Sequence, residues 1–215
     1  MKKNEIGRSM IEMLGVLAIT GVLGVSSLGA YSKAMEKYKI NKTVSQVSEI
    51  VQNTRNAFSF HNSKGYSALD FIVKSMSDAN YTNRKIADKV KLFPGDISSK
   101  NYVHEFGGEI QYFADGLIKK DDGKAFILEY YGVPKEACID LVTKDWNRNL
   151  GLVAMKVKSS VEAYSIQSDA LLGSCETKYK QGVGLFCAKD FPITPEQAVA
   201  VCNFERNNNI SWKFY

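Results

Sequence analysis

The stretch that most constrains this chain lies near its start. Met10 to Ala30 is a run of apolar and small side chains broken only by one carboxylate, Glu12, and a few hydroxyls. As a helix, those 21 residues rise about 30 Å, enough to cross the hydrocarbon core of a bilayer. Lys2 and Lys3 precede the run and stay cytoplasmic under the positive-inside rule, which places everything after Ala30 outside. An ordinary signal peptide would end in a small-residue cleavage site, and Ser27-Leu28-Gly29 or Leu28-Gly29-Ala30 supplies only a weak one. Glu12 argues against that reading, and against a signal anchor in which the carboxylate is incidental. An acidic group costs roughly 2.5 to 3.5 kcal/mol at a membrane centre, so it asks for a cation nearby. If the chain is cut after Gly7, the new α-amine of Arg8 lies little more than one helical turn from Glu12, and a neighbouring copy offers its own amine as an alternative.

Past Ala30 the pattern becomes amphipathic. Tyr31, Ala34, Met35, Tyr38, Val44, Val47, Ile50, Val51, Thr54, Ala57 and Phe58 recur at three- and four-residue steps, with Lys33, Glu36, Lys37, Lys39, Lys42, Gln46, Glu49 and Arg55 between them. This is a helix with one apolar face, and no proline separates it from the span. The reading is one helix of about 50 residues, greasy all round in its first half and packed on a domain in its second. Outside lipid, the first half would expose far more apolar surface than the few hundred Å² a monomer tolerates, so it must bury itself against copies of itself. Gly15, Gly21, Gly24 and Gly29 provide either small faces for close helix approach or points of weak helicity.

The remainder reads as α+β. Ala68 to Met76 and Asn83 to Leu92 form two short helical patterns, stopped by Pro94-Gly95. Strand-like stretches follow at Glu109 to Ala114, Ala125 to Tyr131 and Leu152 to Val157, with glycine punctuation. Pro134 to Trp146 and Thr194 to Cys202 fit helices, the second with Thr194 as N-cap and Pro195 at its first position. Ile210 to Tyr215 is expected to close the sheet as a final strand.

Little in the sequence points to catalytic chemistry. Gly182-Val183-Gly184 reads as a turn, Asp121-Asp122 before Gly123 as a β-turn, and His104 as a solvated loop histidine. Aromatics such as Tyr112, Phe126, Tyr130 and Trp212 fall in strand patterns and read as core. A net charge of +5 is too small to demand a polyanion, although Lys156, Lys158, Lys178 and Lys180 alternate in a way that would repeat as a basic face in a filament. No cofactor and no enzymatic activity are expected. Cys138, Cys175, Cys187 and Cys202 form no C-x-x-C pair, and an even number in an exported chain reads as two disulfides.

Lys2-Lys3 followed by Gly7-Arg8-Ser9-Met10-Ile11-Glu12-Met13-Leu14 and the apolar run resembles the processing site of type IV prepilins and pseudopilins. The resemblance implies that a prepilin peptidase cuts after Gly7 and methylates Arg8, and that Glu12 pairs with a terminal amine during assembly. The family usually opens its mature chain with an apolar residue, where this one has Arg8. Leu92 to Ile97, Glu105 to Ile110 and Tyr131 to Cys138 are similar to segments of the type IVb branch, whose leaders are often longer than seven residues. The implied organisation is a leader over 1–7, a membrane and filament-core helix over 8–30, its amphipathic continuation over 31–60 and a globular head over 61–215. The implied fold is α+β and pilin-like: a long N-terminal helix on an antiparallel sheet with a disulfide-stapled C-terminal region. Of the three possible pairings, Cys138 with Cys202 resembles the long C-terminal staple of that branch. Cys175 with Cys187 would then close a short polar loop around Lys178 to Gly184. The implied partners are copies of the chain in a helical filament, the prepilin peptidase and an inner-membrane assembly machinery, with nucleic acid the lesser candidate. The implied location is the inner membrane before assembly and an extracellular or periplasmic filament after it. A pseudopilin or minor pilin of a type II secretion or DNA-uptake machine is the alternative role.

Overall fold

No proline interrupts the chain between Glu5 and Ser59, and in a computed structural model of the protein these 55 residues form one helix, α1. The structure describes residues 5–59, 72–73, 91–94, 102–114, 125–146, 150–159 and 175–215. Two compact units emerge, Met1–Lys39 and Ile40–Tyr215, with their boundary inside α1.

In the first unit, the described side chains from Met10 to Tyr38 are exposed, Glu36 alone being half-buried. The most apolar 18-residue window of α1 has a mean hydropathy of 1.9. Its hydroxyls return to the helix's own carbonyls: Thr20 donates to Val16 at 2.9 Å and Ser27 to Gly24 at 2.9 Å. Such back-bonding lets a polar side chain sit in an apolar medium without an unmet donor.

In the second unit, α1 buries Ile40, Thr43, Val47, Ile50, Val51 and Thr54. Their three- and four-residue spacing is the apolar stripe of an amphipathic helix. Val47, Ile50, Val51 and Thr54 were expected on that stripe. Tyr31, Ala34, Met35 and Tyr38 were too, yet they are exposed, and Ile40 and Thr43 are buried in addition.

The sheet has seven strands among the described residues: β1 (Ile72–Val73), β2 (Ile110–Ala114), β3 (Phe126–Val133), β4 (Leu152–Ser159), β5 (Lys178–Lys180), β6 (Val183–Cys187) and β7 (Asn208–Phe214). Their spatial order is β1-β2-β3-β7-β4-β6-β5, and every neighbouring pair is antiparallel. The expected final strand forms as β7 and lies in the middle of the sheet: Trp212 pairs with Leu128 on one side and Met155 on the other. That position follows from its side chains, since six of its seven residues are buried, a load that a solvated edge would not carry. Tyr112, Phe126, Leu128, Tyr130, Met155, Phe186, Ile210, Trp212 and Phe214 belong to one core with the α1 stripe. Trp212 meets Tyr130 edge-on at 5.3 Å and Trp146 at 5.4 Å between ring centroids. Tyr112, Phe126, Tyr130 and Trp212 therefore are core, as their strand pattern indicated.

Among the described residues, two further helices flank the sheet, α2 (Lys135–Val142) and α3 (Pro195–Val201). α2 ends before the expected Trp146: Thr143 is its C-cap, and beyond it the Trp146 indole N–H donates to Leu141 O at 2.7 Å, meeting a carbonyl at the helix end. At α3 the Thr194 cap forms as expected, reciprocated by Gln197 in a capping box. Two further expectations are corrected. Ile72–Val73, read as helical, is the β1 strand paired with Phe113 and Tyr112; both residues are β-branched, which suits an extended backbone better than a helix. The supposed loop from Lys178 to Gly184 is a β-hairpin, turning through Gly182 at φ +78°. Residues 83–90 of the second helical pattern and the turn at 121–123 lie outside the described residues.

Candidate functional site

The residues singled out at the N-terminus share one helix. Gly7, Arg8 and Glu12 all lie in the first turns of α1, Arg8 and Glu12 four positions apart, with Glu12 exposed. A Cβ built on Gly15, Gly21, Gly24 or Gly29 would meet nothing within 4 Å. Packing among the described residues therefore requires none of the four glycines, although each weakens the helix by roughly 1 kcal/mol relative to alanine.

All four cysteines are bonded. Cys138 in α2 joins Cys202 at the end of α3, spanning 64 residues, and Cys175 joins Cys187 at the end of β6, spanning 12. Cys138 and Cys202 are both fully buried. Around the first staple a polar network fixes the backbone. Asn208 donates to Val133 O at 3.0 Å and to Phe204 O at 2.6 Å, and accepts from Ser159 Oγ at 2.5 Å. Asn203 N–H in turn donates to Ser159 Oγ at 3.0 Å. Buried polar groups that are fully met in this way select one arrangement of the loop. The end of α1 is clamped similarly, with Arg55 donating to Leu150 O at 2.7 Å and Tyr215 O at 2.5 Å.

His104 is a correction to the sequence reading: it is buried, 3% exposed. Its Nε2 lies 2.7 Å from Tyr131 O, its Nδ1 accepts from Phe106 N–H at 3.2 Å, and its ring stacks on Tyr130 at 5.1 Å. Desolvation by burial lowers its pKa, against the opposing pulls of the Tyr131 carbonyl and the Glu105 carboxylate. Gly108 leaves the room this requires, since a Cβ there would overlap both Tyr131 O and His104 Nε2. The sequence around it carries no such signal, because the groups that bury His104 include Tyr131 and Tyr130, which lie more than 25 residues away.

The alternating lysines fall into two cross-strand rows. Register places Lys156, Leu185 and Lys178 opposite one another, and Lys158, Val183 and Lys180 likewise. They share one face, but Lys156 is buried and Lys178 pairs with Glu176 at 2.7 Å. Among the described residues, no cluster of three or more His, Cys, Asp or Glu side chains is arranged to hold a metal ion.

A long exposed apolar helix continuing into the core of a disulfide-stapled antiparallel head defines this chain as a type IV pilin. The family model described as "PilS N terminal" matches residues 37–214, and the chain belongs to that family. It is 26% identical over 214 residues to the major structural subunit of bundle-forming pilus of Escherichia coli O111:H-, covering 98% of this chain and 95% of that one. To the protein of the same description from Escherichia coli O127:H6 (strain E2348/69 / EPEC) it is 25% identical over the same shares. Among solved structures it is similar to TcpA, a type IV pilin from Vibrio cholerae El Tor biotype, with a TM-score of 0.49 and 16% identity over 84% of this chain and 99% of that one.

Proposed function

We propose that this chain is the structural subunit of a type IV pilus-like filament, held in the inner membrane by α1 and then polymerised through it. The observation that carries the reading is the exposure of Met10, Ile11, Met13, Leu14, Val16, Leu17, Ile19, Val22 and Leu23 on one helix, each more than 60% exposed. That surface has two stable environments, lipid before assembly and other copies of the same helix afterwards. The four glycines, which no packing among the described residues requires, suit close approach by partner helices.

In this reading residues 1–7 are a leader removed between Gly7 and Arg8 by a prepilin peptidase that methylates Arg8. Residues 8–30 form the filament core, 31–60 continue the helix, and 61–215 build the outward head. Glu12 provides the register, pairing with a terminal amine because a carboxylate among apolar helices needs a cation. The family relatives described as major structural subunits favour the pilin over the pseudopilin role. The test is electron microscopy of sheared cell-surface material with mass spectrometry of the subunit. Filaments whose subunit begins at Arg8 are expected. A mature chain beginning at or beyond Leu28, or subunit found only in the periplasmic fraction, refutes the proposal.

A further inference from the structure

His104 occupies a place where a second proton cannot be accommodated without movement. A carbonyl only accepts and an amide N–H only donates, so Tyr131 O and Phe106 N–H admit a single tautomer, with the proton on Nε2 and the lone pair on Nδ1. Protonation would place an N–H on Nδ1 facing the N–H of Phe106, and that contact would turn from bond to repulsion. The ring cannot swing away cheaply, because it lies flat on Tyr130 with an interplanar angle of 8° and against the main chain of Gly108. The yielding part is the turn, held by His104 N–H to Gly108 O at 3.0 Å and Gly107 N–H to His104 O at 2.8 Å. The same turn ties α1 to the sheet: Glu105 pairs with Lys42 at 3.0 Å, and the Tyr130 hydroxyl under the imidazole donates to Gln46 at 3.0 Å.

We propose that the turn from His104 to Gly108 is an acid-triggered release, in which protonation of His104 at Nδ1 opens the turn and frees Glu105 from Lys42 of α1. The groups that set the proton affinity of His104 are on both sides of it. On its own turn Glu105 favours the imidazolium, but Lys42 of α1 holds that carboxylate. On β3 the phenols of Tyr130 and Tyr131 are pushed above their ordinary range, chiefly by burial, and stay neutral. Desolvation therefore prevails, and the closed turn resists a proton that the open turn accepts at the ordinary imidazole value of 6.5. The sign follows: with the closed-state pKa depressed, closure is fully favoured above pH 6.5 and weakens as pH falls below it. The loss levels off once the closed-state pKa is passed.

The test uses the full chain in detergent micelles. The imidazole signals are followed by NMR against pH, His104 being assigned by comparison with His61→Gln, and amide hydrogen exchange is measured at pH 5 and 7.5 with correction for intrinsic rates. His104 is expected to titrate below 6.5. The amides of Phe106 and Gly107 should lose up to about thirtyfold in protection at pH 5, while those of β7 stay unchanged. In His104→Gln the difference between the two pH values should vanish. Titration of His104 at or above 6.5, turn protection independent of pH, or an equal loss in His104→Gln overturns the proposal. If that variant does not fold, the wild-type titration and exchange decide alone.

Discussion

Removing the Cys138–Cys202 staple should cost this head more than removing Cys175–Cys187, and the difference can be worked from the chain. A crosslink that closes a loop denies the unfolded chain conformations in proportion to the logarithm of loop length. The 64-residue separation is then worth about 4 kcal/mol and the 12-residue one about 3 kcal/mol. The first pair has a second contribution: both its sulfurs are fully buried beside Ala137, Leu141, Ala198 and Val201, whereas Cys175 is half-buried. Replacing Cys138 and Cys202 together with alanine therefore removes core atoms as well as the tether. Against a total stability of about 5 to 15 kcal/mol for an ordinary domain, the loss is large. Denaturant unfolding of each double-alanine variant in micelles, followed by the fluorescence of buried Trp146 and Trp212, measures it. Reduction of the variant that lacks Cys175 and Cys187 separates the two contributions, since only the long tether is then opened while its sulfurs remain in place. A smaller loss for the long staple than for the short one, or a loss below about 1 kcal/mol, would refute the chain-entropy argument.

Gly108→Ala should destabilise the head by at least about 2 kcal/mol, because the new methyl overlaps a main-chain carbonyl that cannot step aside; thermal unfolding checks it, and an unchanged melting temperature contradicts the close approach. Thr194→Ala opens the capping box at α3 and should cost about 1 kcal/mol, or about 2 to 4 °C in melting temperature. Glu12→Ala should leave membrane insertion intact while lowering filament yield, since it removes an insertion cost and the proposed register together; wild-type yield at equal expression counts against the register. Arg55→Ala leaves Leu150 O and Tyr215 O without their shared donor and should cost about 1.5 to 3 kcal/mol, measured by the same unfolding curves.

Much of this architecture was legible because single residue types force it. An apolar stretch without proline dictates α1, and a threonine followed by proline and, three positions on, glutamine dictates the start of α3. The stripe over Val47, Ile50, Val51 and Thr54 followed from helical spacing alone. Its upstream limit did not, because Tyr31, Met35 and Tyr38 keep the same period as the buried residues yet belong to the unit Met1–Lys39. Periodicity records which face is apolar and is silent about what covers it. The Lys178–Cys187 hairpin escaped for a related reason: its strands are three and five residues long, and β5 is lysine-rich and exposed. That composition suits an edge protected against further pairing as well as it suits a loop. His104 escaped because its burial depends on Tyr131 and Gly108, and on the Tyr130 ring beneath it, which only the folded register brings together.

The position of β7 links these features. A sheet whose middle strand is the last in chain order cannot complete its core until Asn208–Phe214 has entered between β3 and β4. Trp212 supplies ring contacts to Tyr130 and Trp146, Asn208 anchors the Cys202 loop, and the main chain at Tyr215 receives Arg55 from α1. The helix stripe therefore finds its full seat only after the most sequence-distant contacts form, an order that raises the entropic cost of folding. A long crosslink offsets part of that cost by shortening the effective loop between α2 and β7, which explains why the buried staple joins Cys138 to Cys202, six residues before Asn208.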